Sequence, residues 1–93
     1  MRESKPPYRV KWHDIAKRQL IEISRRSRFS FAIGRDADIL ERYLEREGVA
    51  AAAELIDIYA EVHTVRLRLI FREASDGTIV ILRPIEGTTR KRF

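Results

Sequence analysis

The chain has 93 residues, 44% hydrophobic and 35% charged, with a formal net charge of +5, which fits one folded domain rather than a disordered or multidomain chain. The lack of cysteine excludes disulfides and cysteine-based zinc sites. No apolar run approaches the roughly 18 residues of a membrane span, and the polar start offers no secretory signal, so a cytoplasmic protein with no membrane partner is expected.

Residues 1–7 read as a polar tail closed by Pro6-Pro7, and 8–93 as a single domain. Tyr8, Val10 and Trp12 then alternate with Arg9, Lys11 and His13, the period of a half-buried strand. Asp14 is the expected cap of a first helix running to about Ser27. Its apolar face carries Ile15, Ala16, Leu20 and Ile23, and its polar face Lys17, Arg18 and Glu22. Phe29, Phe31 and Ile33 fit either a helix end or an extended link, and are expected in the core with Trp12 and Tyr43. A second helix is predicted from the capping-box spacing of Asp38 and Glu41, with Ile39, Leu40, Tyr43 and Leu44 as its stripe and Gly48 as its C-terminal cap. Asp36, Asp38, Glu41, Glu45 and Glu47 then form a solvated helix face.

Beyond Gly48, Val49–Ala53 can extend a helix, whereas Ile56, Ile58, Ala60 and Val62 alternate as a strand does. The apolar parity then flips to Val65, Leu67, Leu69 and Phe71, which requires a turn or bulge near His63-Thr64. Asp76-Gly77 is a hairpin signal. It leads into Thr78–Ile85, whose first five residues suit a strand covered on both faces. Pro84 and Gly87 punctuate its end. The order of strand, two helices and three strands predicts an α+β sandwich, two helices packed on a mainly antiparallel four-stranded sheet.

The charge is segregated. Residues 1–30 carry nine Lys or Arg against three Asp or Glu, residues 31–62 three against eight, and residues 63–93 seven against three. Fifteen of the 19 cations are Arg, whose planar fork grips phosphate in a bidentate manner. Arg66, Arg68 and Arg72 are spaced to share one strand face opposite Leu67, Leu69 and Phe71, and a basic, aromatic-ended tail follows in Arg90, Lys91, Arg92 and Phe93. That combination points to a phosphate-binding face. Arg25-Arg26-Ser27-Arg28 adds a basic cluster at the end of the first helix. His13 and His63 are the two histidines, too far apart in the chain and too poorly supported by carboxylate spacing to read as a metal site.

Several segments resemble the RelE/ParE toxin superfamily, particularly its archaeal RelE branch. They are the opening Tyr8-Arg9-Val10-Lys11-Trp12-His13, then Asp57-Ile58-Tyr59, Arg68-Leu69-Ile70-Phe71, the turn at Asp76-Gly77, and the apolar last strand with its Arg-rich tail. The resemblance implies the toxin of a type II toxin–antitoxin pair, an endoribonuclease that cuts ribosome-bound mRNA and works without metal or other cofactor. Its partners would be a cognate antitoxin, mRNA and the ribosome. It also implies that Arg68 and Arg90 stabilise the charge built as a ribose 2′-hydroxyl attacks the adjacent phosphate. Arg66, Arg72, Lys91, Arg92 and Phe93 would be further RNA contacts. The pattern departs from the family at two places: Phe93 stands where a terminal Tyr is common, and Val49–Ala53 where lysines are usual. A ParE-like toxin that inhibits a protein such as DNA gyrase, or a small non-catalytic nucleic-acid-binding protein, are the alternatives.

Overall fold

The computed structural model describes residues 6–52, 54–56, 59–64 and 66–87. Strand β1 (Val10–Trp12) leads into helices α1 (Asp14–Arg26) and α2 (Ser30–Glu47) and a 3₁₀ turn (Gly48–Ala51). Strands β2 (Glu54–Ile56), β3 (Tyr59–His63), β4 (Leu67–Glu73) and β5 (Ile79–Glu86) follow. They form one sheet in the order β1-β5-β4-β3-β2. β1 runs parallel to β5, and every other neighbouring pair is antiparallel. The α+β architecture is the expected one, with one refinement. The stretch read as a single strand from Ile56 to Val62 is divided into β2 and β3, with Ile56 opposite Tyr59.

One face of the sheet meets the helices. Leu67, Leu69, Phe71, Ile79 and Ile81 point there and are fully buried against Ala16 and Ile23 of α1 and Ile33, Ala37, Leu40 and Leu44 of α2. The spacing 33, 37, 40, 44 is the stripe of one helix face, and it corrects the expected start of the second helix. A helix begun at Asp38 would leave Ile33 and Ala37 outside it. Burying both extends α2 back to Ser30, so Asp38 lies mid-helix and caps nothing. In a helix, residues two apart point to opposite sides. Phe31 is therefore 93% exposed while Ile33 is fully buried, and Phe29, at the N-cap, is also exposed. Neither phenylalanine is in the core. Ile15 and Ile39, expected on apolar stripes, are exposed as well.

Two further details differ from expectation. α1 is capped by His13, whose Nδ1 accepts from the Ile15 amide at 3.2 Å, and not by Asp14. Asp36 is buried rather than solvated, because it accepts the Thr64 hydroxyl at 2.7 Å. Trp12 is half-buried and donates its Nε1 to Glu41 at 3.0 Å, which ties β1 to α2 and takes Glu41 out of the solvated set. Gly48 does end α2, at a φ of 60°, and a Cβ there would lie 3.0 Å from the Tyr8 ring. Both facts demand glycine.

Candidate nucleic-acid interface

No described element covers the second face of the sheet, and cross-strand register decides which side chains it carries. Directly paired residues of neighbouring strands point to the same side. Arg68 pairs with His63 on β3 and with Ile85 on β5, Ile70 pairs with Glu61 and Arg83, and Arg72 pairs with Val80. Val80 in turn pairs with Lys11 of β1. Lys11, Arg68, Arg72, Arg83, His63 and Glu61 thus share this open face. Tyr59 joins them, two residues before Glu61 on the same strand. Val80, Leu82 and Ile85 are only half-buried, so β5 is not covered on both sides as expected. Long basic side chains lie around them, and such chains lay their methylene stems over apolar surface.

A β-bulge brings Arg83 to this face. Phe71 pairs with Ile81 but Ile70 pairs with Arg83, which leaves Leu82 as an extra residue in β5. The shift flips every later residue of β5 to the other side. Plain alternation from Ile79 and Ile81 would have aimed Arg83 toward the helices.

At the centre, Arg68 Nε lies 3.6 Å from Oε2 of Glu61. Glu61 is 6% exposed, and the Arg68 side chain 22%. The separation is too long for a hydrogen bond, and Arg68 Nε is buried without any such partner among the described residues. The guanidinium is therefore held by charge while a donor remains unused. A buried donor without an acceptor is costly, and a catalytic role is one of the reasons for which such a group is kept. Sequence reasoning passed over Glu61, because a carboxylate at a nominally outward strand position reads as an ordinary surface charge. The sequence placed His63 only near a turn. Its place opposite Arg68 follows only from pairing.

The turn between β3 and β4 fixes that pairing. The Thr64 amide donates to the Leu67 carbonyl at 2.8 Å. The Thr64 hydroxyl, while donating to Asp36, accepts from the amides of Arg66 and Leu67 at 3.4 and 3.2 Å. Side-chain oxygen thus does what glycine does in other tight turns. Arg66 falls in this turn, outside β4, so strand alternation does not govern it. Its guanidinium sits 4.8 Å from the centre of the Phe29 ring, a cation–π contact with the start of α2. Arg66 therefore does not share the face of Arg68 and Arg72. Arg90, Lys91, Arg92 and Phe93 lie outside the described residues.

The fold matches a chain of the RelBE2 toxin–antitoxin complex from Mycobacterium tuberculosis with a TM-score of 0.70 and 21% sequence identity, over 91% of this chain and 97% of that one. The protein thus has the RelE-type toxin fold. No family model and no curated protein matches the chain.

Proposed function

We propose that the protein is the toxin of a type II toxin–antitoxin pair, a RelE-like endoribonuclease that cuts ribosome-bound mRNA without a metal. The observation that carries this reading is the open sheet face, where Arg68 and His63 are direct cross-strand partners among Lys11, Arg72 and Arg83. The RelE-type fold supports it. In the reaction the 2′-oxygen bonds to phosphorus and the bond from phosphorus to the 5′-oxygen breaks, leaving a cyclic phosphate and a 5′-hydroxyl. His63 takes the 2′-hydroxyl proton, and solvent water supplies the proton that the departing 5′-oxygen takes up. Arg68, whose side chain is partly exposed on this face, stabilises the charge that grows on the phosphoryl oxygens. Arg72, Arg83 and Lys11 hold neighbouring phosphates, while Arg90, Lys91, Arg92 and Phe93 extend the contact. Phe93 lacks a hydroxyl and so contributes by stacking on a base. The cognate antitoxin is the protein partner, and the cytoplasm is the site of action.

Glu61 favours a second reading. A buried carboxylate beside the central arginine lowers the attraction of this face for RNA, as suits a ParE-like toxin that binds a protein target. Induced expression separates the two. New mRNA 5′ ends within translated codons support the nuclease. Intact mRNA with altered plasmid supercoiling supports the ParE-like reading. Recovery of a small partner from the native host by pull-down tests the antitoxin.

A further inference from the structure

The outer surface of the helix pair carries a feature that the proposed function does not use. A groove of about 300 Å³ runs between α1 and α2, lined by Lys17, Leu20 and Ile21 on one wall and Gly34, Asp38 and Glu41 on the other. Ile21 is 57% exposed. Gly34 is an exposed residue inside an 18-residue helix, where glycine is less favourable than alanine by about 1 kcal/mol. No described residue asks for it, since a Cβ at Gly34 would meet none of their atoms within 4 Å outside its own stretch of helix. Its backbone therefore forms an open notch beside an exposed isoleucine. Phe31, two turns before Asp38 on the same crest of α2, is 93% exposed. An interior helical glycine left bare in this way fits close approach by another chain.

We propose that the occupant is a second copy of this chain, joined through a two-fold axis running along the groove. Such an axis lays α1 of each copy over α2 of the other. Residues at the same level of the groove then meet across it. Ile21 of one copy enters the notch at Gly34 of its partner copy, and the exchange is reciprocal. The charges are self-complementary in the same arrangement. Lys17 on the α1 wall meets Asp38 on the α2 wall of the other copy, and neither makes an ion pair within its own chain among the described residues. A like-charged groove would repel its own copy, but this one is acidic on one side and basic on the other. The interface lies on the helix layer, so the open sheet face stays free for its ligand.

The test is the molar mass of the purified full chain across a concentration series, by light scattering and sedimentation equilibrium. Twice the 10.9 kDa chain mass at high concentration is expected. Gly34→Arg fills open space and should leave the circular dichroism spectrum unchanged, while raising the dimer dissociation constant about tenfold or more. Lys17→Glu and Asp38→Lys should each weaken the dimer, and the double variant should restore it. Three results overturn the proposal: a wild-type chain monomeric at every concentration, a folded Gly34→Arg protein with undiminished dimerisation, or no recovery in the charge-swapped double variant. A monomer that binds a different chain at this groove, with binding blocked by Gly34→Arg, also overturns it in favour of that partner.

Discussion

Arg68 and Thr64 show two ways in which single side chains set up the open face. Arg68 is assigned to transition-state charge, so Arg68→Ala should slow RNA cleavage by on the order of 10²–10³-fold. Binding should fall far less, because Lys11, Arg72 and Arg83 share the phosphates. Arg68→Lys restores the charge but not the fork, and should recover only part of the rate. Single-turnover cleavage and RNA titration on each variant check this. A melting curve must accompany them, because removing Arg68 leaves Glu61 buried without its counter-charge. Full cleavage by folded Arg68→Ala, or equal loss of binding and rate, would contradict the role. Thr64 acts on structure instead. Thr64→Val removes the donor to buried Asp36 and the acceptor for two turn amides. It should cost about 1–3 kcal/mol in urea unfolding, and a loss below about 0.5 kcal/mol would show that the turn does not depend on the hydroxyl.

The β4–β5 hairpin is the element whose stability should follow pH. Its loop closes through the Gly77 amide to the Ala74 carbonyl at 2.9 Å and the Ala74 amide to the Thr78 carbonyl at 2.7 Å, with Gly77 at a φ of 90°. Asp76 Oδ1 accepts from the Thr78 amide at 2.9 Å. This bond, first among the causes, holds the Asp76 carboxyl below its ordinary value of 3.8, with a smaller contribution from the charge of Arg9. A folded value below the unfolded one means that the ionised group stabilises the hairpin. The contribution is fully present above the ordinary value and fades as pH falls through the lowered one. Asp76→Ala should therefore melt below wild type at pH 6, and the two melting curves should converge as pH is taken well under 3.8. A difference that stays constant across that range would assign the effect to the turn backbone rather than to the carboxylate.

Across the whole molecule, the basic ends of the sequence meet where strands from both ends pair. Lys11 comes from the first strand, and Arg68, Arg72 and Arg83 from the last two. If these cations replace counterions on single-stranded RNA, log affinity should fall linearly with log salt. Arg72→Ala and Lys11→Ala should each reduce the steepness by about 0.7. Filter binding from low to moderate salt measures this. An unchanged slope in both variants would show that the open face is not where phosphates bind, and would favour the ParE-like reading.

The sequence by itself determined what depends on near neighbours. Alternation separated Arg68 and Arg72 from Leu67, Leu69 and Phe71, because a strand sends successive side chains to opposite faces whatever it pairs with. Asp76-Gly77 specified its hairpin and Gly48 its helix end, since both rest on local backbone geometry. Tertiary structure alone decided the company that Arg68 keeps. His63 and Glu61 reach it through β3–β4 register, and Arg83 arrives through a bulge at Leu82 that no local pattern announces. The start of α2 was decided in the same way, by the core's demand for Ile33 and Ala37 over the capping signal at Asp38. Arg66 left the predicted face because a turn held by Thr64 and Asp36 turned it toward Phe29. Burial and cross-strand pairing couple residues far apart in the chain, and their free energy exceeds the tenths of a kcal/mol by which local signals usually differ.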